Sequence, residues 1–132
     1  MLRACATVFA LLVSTSSLLA APRIRNCPSA VRGAVTTADD RPDGVLMRVT
    51  ADDPVAQREI RQRAREQATV AQKVARDADE LTYCPEMEPG TILGVEELPT
   101  GALMRLTVRS PRELERIRQS THDRLRAVRA GD

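Results

Sequence analysis

Two stretches of the chain alternate apolar and polar positions with a period of two. In Gly44-Val45-Leu46-Met47-Arg48-Val49-Thr50, Val45, Met47 and Val49 oppose Leu46, Arg48 and Thr50; in Gly101 to Val108, Ala102, Met104, Leu106 and Val108 oppose Leu103, Arg105 and Thr107. Side chains along a strand point to opposite faces in turn, so each stretch predicts a strand with one buried face. A weaker apolar stretch precedes each of them, at Ala34 to Ala38 and Thr91 to Val95. The intervening Asp39-Asp40-Arg41-Pro42-Asp43-Gly44 and Glu96-Glu97-Leu98-Pro99-Thr100-Gly101 are turn chemistry, so two hairpins are expected, with both acidic pairs in solvated turns.

Helical spacing takes over after each hairpin. Asp53 before Pro54 and Ser110 before Pro111 each set a capping residue next to a proline at the first helical position, and Glu113 completes a capping box with Ser110. The first helix carries Ala56, Ile60, Ala64, Ala71, Val74, Ala78 and Leu81 on one stripe, and the second carries Leu114, Ile117, Leu125 and Val128. A first helix from Pro54 to about Asp79 is about 39 Å long, against about 23 Å for a seven-residue strand. Its end should therefore overhang the sheet. An alanine seam there, Ala68, Ala71, Ala75 and Ala78, packs either on the linker before Cys84 or on a second copy in a homodimer.

The two halves are a tandem repeat of period 57. Cys27-Pro28 aligns with Cys84-Pro85, Gly44 to Thr50 with Gly101 to Thr107, and Ile60-Arg61-Gln62 with Ile117-Arg118-Gln119; thirteen of thirty-six aligned positions are identical, without a gap. Two units that each lack a second apolar layer must share one core about a pseudo-twofold axis. The expected fold is α+β: two ββα repeats, 27–80 and 84–130, forming a four-stranded antiparallel sheet with both helices on one face, a permuted ferredoxin-like arrangement. The apolar-rich second strands belong at its centre.

The N-terminus alters the picture of where this domain works. Arg3 is followed by an uncharged apolar run from Ala4 to Ala21, broken by Ser14 to Ser17 and ended by Pro22 and Arg23. This reads as a secretory signal peptide over residues 1–20, leaving one domain over 21–132. No cysteine lies at the distance a lipid anchor needs, so no membrane attachment is expected after cleavage. Removing the leader takes one of twenty basic residues and none of the eighteen acidic ones, leaving a net charge of +1. Near-neutral charge, export and a single remaining aromatic residue, Tyr83, argue against nucleic-acid binding. One lysine against nineteen arginines points to a high-GC bacterial genome, and with the leader to a periplasmic or secreted protein.

Cys27 and Cys84 remain in a compartment that oxidises thiols, so a disulfide is the first expectation. The repeat symmetry argues the other way. It sets both cysteines at the starts of strands running in opposite directions, beyond the roughly 7 Å Cα separation a bridge allows unless the preceding segments converge. The alternative for the same thiols is a soft-metal site: Cys84 and Met87 lie three residues apart, and His122 would supply a third ligand suited to copper. The first repeat does not reproduce it, having Ala30 for Met87 and Arg65 for His122. Met47 and Met104 alternate with polar residues and read as core. Arg48 and Arg105 recur at one place in the repeat, on the opposite strand face, and are the candidate contacts for an anionic partner.

Catalysis has no constellation to rest on. There is one histidine, no Gly-x-Ser-x-Gly, no phosphate loop and no haem motif, and no cofactor is implied. The units Cys-Pro-x5-Gly, Gly-Val-Leu-Met-Arg-Val-Thr and Asp-Pro-x5-Ile-Arg resemble repeats in small exported Cys-Pro proteins of high-GC Gram-negative bacteria. That resemblance spans residues 27–130 and implies no activity. The function expected is that of a small exported non-enzymatic binding or structural module, with periplasmic copper handling through Cys84, Met87 and His122 as the alternative.

Overall fold

Both alternating stretches are strands, and both lie at the centre of one sheet. A computed structural model describes residues 27–74 and 84–130. Within them the chain forms β1 (Val35–Arg41), β2 (Gly44–Thr50), α1 (Pro54–Val74), β3 (Thr91–Leu98), β4 (Gly101–Val108) and α2 (Leu114–Ala130). The sheet is antiparallel throughout, in the order β1-β2-β4-β3. The expected α+β architecture is the one observed. The signal peptide over residues 1–20, and Ala75 and Ala78 of the alanine seam, lie outside the described residues. No helix among the described residues is long and apolar enough to cross a membrane.

The register shows how the repeat builds the core. Met47 and Met104 stand directly opposite one another on β2 and β4, so equivalent residues meet at the middle of the sheet. Both are fully buried, with Val45, Val49, Ala102 and Leu106 on the same face, and Ile60, Ala64 and Leu125 of the helices close over them. Fully burying an aliphatic side chain is worth about 1.5–3 kcal/mol. With so few large side chains, the methionines, which adapt to irregular gaps, occupy the centre.

Three details depart from the pattern read in the sequence. First, the hairpins are tight. β1 runs to Arg41 and β3 to Leu98, leaving only Pro42-Asp43 and Pro99-Thr100 as turns, so the acidic pairs lie within strands. Alternation then sends Asp40 and Glu97 toward the helices. Asp40 Oδ1 meets His122 Nε2 at 2.9 Å, and Glu97 Oε1 accepts from Arg65 Nη1 at 2.7 Å. These four residues are two equivalent pairs in the repeat. His122 is thus a partner of Asp40 rather than a free surface side chain. Gly44 and Gly101 make this packing possible: a Cβ would lie 1.7 Å from the Leu106 carbonyl oxygen at Gly44, and 2.0 Å from that of Val49 at Gly101.

Second, α1 begins with the expected cap and α2 does not. Asp53 Oδ2 accepts from the Ala56 N–H at 2.8 Å. After Ser110 the chain makes a 3-10 turn, Pro111–Glu113, in which the Glu113 N–H bonds the Ser110 carbonyl, and the Ser110 side chain forms no cap. Glu113 pairs with Arg116 at 3.0 Å instead of reaching back. Third, the stripe of α2 is narrower than its leucines suggest. Ile117, Thr121 and Leu125 are buried, whereas Leu114 and Val128 are only half-buried.

Candidate functional site

Each repeat enters its hairpin through the same short device. Cys27 and Cys84 precede 3-10 turns, Pro28–Ala30 and Pro85–Met87, in which proline fixes the first φ and the third N–H closes on the cysteine carbonyl at 3.0 Å. Gly33 and Gly90, at φ 78° and 87°, then redirect the chain into β1 and β3, a conformation glycine adopts without steric cost. The two turns converge on the pseudo-twofold axis. Cys27 and Cys84 form a disulfide with a Cα separation of 5.6 Å. The geometric objection drawn from strand direction is answered by these pre-strand turns, which carry both cysteines back to the axis.

The residue two places after each cysteine also returns to the axis, where Ser29 faces Glu86. Glu86 is fully buried. Its Oε1 accepts from the Ser29 N–H at 3.2 Å and from the Ser29 hydroxyl, which itself accepts from Thr36 Oγ1 at 3.0 Å. Its Oε2 lies 2.8 Å from Cys27 Sγ and 2.8 Å from Cys84 Sγ. A disulfide sulfur carries no hydrogen, so the one hydrogen these contacts can share is that of a protonated carboxyl. Burial favours that form and lifts the carboxyl from its ordinary 4.5 to about 7, against the smaller downward pull of hydrogen bonds from Ser29 and from its own backbone.

The surroundings complete the site. Gln67 Nε2 donates to Cys84 Sγ at 3.0 Å, and Arg63 Nη1 donates to the Cys27 carbonyl at 3.0 Å. Met87, Leu93 and Ala30 pack on the sulfurs. A cleft of about 290 Å³ between β1 and α2 has Ser29, Thr36, Leu125 and Arg129 in its wall. Two residues beyond Glu86, Glu88 is just as deeply enclosed but neutralised: Arg116 Nη1 at 3.2 Å, Arg124 Nε at 3.0 Å and Ser120 Oγ at 2.8 Å meet its carboxylate. Among the described residues Glu86 has no ion pair.

The sequence-derived candidates separate in space. Cys84 and Met87 share the sulfur cluster, while His122 is held by Asp40 on the outer part of α2. Arg48 and Arg105 are exposed on the helix-free face of β2 and β4, opposite Leu103 and Leu46 respectively. Sequence reasoning passed over Glu86. The signal that would have found it is the repeat itself: if two cysteines meet on an axis, the residues two places on also face each other there, and one of that pair is an acid. Comparison with protein-family models, curated proteins and solved structures finds no match to this chain. Its function must be argued from its own residues.

Proposed function

We propose that the protein is a small exported, non-enzymatic binding module, stapled by its disulfide, that takes an acidic segment of another protein across the open face of the sheet. One observation carries this reading. Both helices cover the same side of the sheet, and on the other side Arg48 and Arg105 stand exposed on the two central strands with no hydrogen bond or ion pair among the described residues. Their register makes them diagonal neighbours, roughly 7 Å apart by antiparallel spacing. Half-buried Leu46 and Leu103 lie between them, and exposed Val35 and Ile92 extend the apolar ground toward the edges. Two guanidinium groups flanking an apolar strip suit an extended chain carrying carboxylates, since guanidinium matches carboxylate geometry in a bidentate fork.

The test is an NMR titration of the isotope-labelled chain with a poly-glutamate peptide. Amide shifts concentrated on β2 and β4, weakened by salt and absent in the double variant Arg48→Glu/Arg105→Glu, are expected. Shifts confined to the helices, or equal binding by the double variant, would remove the basis for the reading.

A further inference from the structure

We propose that the reduced form of the chain holds a zinc-class divalent cation through Cys27, Cys84 and Glu86, a site independent of the sheet-face reading. The three donor atoms, two sulfurs and Glu86 Oε2, lie within 4.8 Å of one another, and all three residues are buried. The carboxylate oxygen is 2.8 Å from each sulfur, so once reduction lets the two sulfurs part, all three donors face one another.

The case rests on what each neighbour does. The cysteines are presented by proline turns from the two halves of the fold, with a Cα separation of 5.6 Å. The carboxylate is oriented by a second layer: Ser29 holds Oε1 by two hydrogen bonds, and Thr36 holds Ser29. Outer hydrogen bonds of this kind aim metal ligands and tune their basicity. Gln67 performs the same office for Cys84. Glu86 has no cation beside it among the described residues, whereas Glu88, two residues away, has two. A divalent ion would neutralise most of the charge of two thiolates and one carboxylate. Two sulfurs and one oxygen form a borderline set, which suits tetrahedral zinc with water in the fourth position and is too hard for copper(I). Ser29 and Thr36, which orient the carboxylate, also line the cleft between β1 and α2.

The chemistry balances simply. A phosphine or dithiol reductant supplies the two electrons that break the sulfur–sulfur bond, two protons complete the thiols, and the reductant leaves as its own oxidised form. Metal binding then releases those thiol protons, and that of Glu86 where present, to solvent.

The test uses the full chain, reduced by a phosphine under anaerobic conditions and titrated with Co²⁺ and then Zn²⁺. One equivalent of Co²⁺ should give a thiolate-to-cobalt charge-transfer band that Zn²⁺ displaces, and the oxidised chain should give none. Glu86→Gln keeps the shape and the Ser29 bonds, and should weaken binding roughly tenfold or more. His122→Ala should bind like the parent chain. Far-UV circular dichroism of each species accompanies the titration. Equal binding by oxidised and reduced chains, no band on reduction, parent-like affinity of Glu86→Gln, or a reduced chain that unfolds and that zinc does not refold would each overturn the proposal.

Discussion

Replacing Glu86 by glutamine should make the protein more stable at neutral pH and almost unchanged in acid. Folding raises the carboxyl from 4.5 to about 7, so below pH 4.5 the group is protonated in both the folded and unfolded chain. Between those values the folded chain holds the proton and the unfolded chain has released it, so the folded state binds more protons and stability falls as pH rises. Above about pH 7 the loss is complete. A shift of this size corresponds to about 3 kcal/mol at 1.36 kcal/mol per unit. For a domain of about 100 residues that is roughly a 12–24 °C change in midpoint. Glutamine preserves the geometry: its carbonyl accepts from Ser29 and its amide donates toward the sulfurs, with no charge to bury. Urea unfolding of both chains at intervals from pH 4 to pH 8, disulfide intact, isolates the effect, because every other titrating group is common to the two. Parent and variant should agree at pH 4 and diverge progressively up to pH 7. Parallel curves across the range would refute the reasoning, and so would a variant that is less stable at pH 8.

Four further outcomes follow from the same contacts. Reduction without metal should lower unfolding stability by about 4 kcal/mol in the chain-entropy model for cysteines 57 residues apart, measured by urea titration with and without phosphine. Glu88→Gln should cost about 3 kcal/mol, because Arg124 keeps a largely buried charge without its partner; thermal unfolding reads this directly. Asp53→Ala should cost about 1 kcal/mol and Ser110→Ala well under half of that, since only the first side chain caps a helix N-terminus. On the open face, Arg48→Ala and Arg105→Ala should each leave stability within about 0.5 kcal/mol, as expected of surface side chains without bonds, while weakening the poly-glutamate interaction.

The strands and their order were legible because they depend on periodicities that sequence displays openly. Val45, Met47 and Val49, repeated as Ala102, Met104 and Leu106, could bury only one face, and a repeat could share its core only by pairing like with like. What could not be read was set by contacts distant in sequence. Asp39-Asp40 has turn composition, yet β1 continues through it because Asp40 gains His122, 82 residues away, and the Gly44 backbone packs under the Leu106 carbonyl. Ser110 and Glu113 have the spacing of a capping box, but the 3-10 turn at Pro111 uses the Ser110 carbonyl, and Arg116 draws Glu113 away. The disulfide was open for the same reason: strand direction was readable, whereas the convergence of two short proline turns is a tertiary result.

The repeat also separates what builds the fold from what needs another explanation. Where the halves keep equivalent contacts, the contact is architectural. Met47 meets Met104. Arg61 bonds the Leu98 and Pro99 carbonyls as Arg118 bonds that of Arg41, and Glu97 with Arg65 matches Asp40 with His122. The halves diverge most consequentially on the Cys-Pro turn, where Ser29, Ala30 and Val31 of the first copy become Glu86, Met87 and Glu88 of the second. A stapled core requires only the cysteines and prolines, and the first copy shows that small or apolar residues complete such a turn. Two buried carboxyls in the second copy therefore carry a desolvation cost that folding did not demand. At Glu88 the cost is offset by Arg116, Arg124 and Ser120, and the result is a brace between the turn and α2. At Glu86 the offsets among the described residues are hydrogen bonds from Ser29 and from the backbone of Glu86 itself, with no ion pair, which is poor compensation for an ionised group but a good position for a metal ligand. The departure from symmetry, the lack of a countercharge among the described residues and the contact with both sulfurs coincide at this one residue.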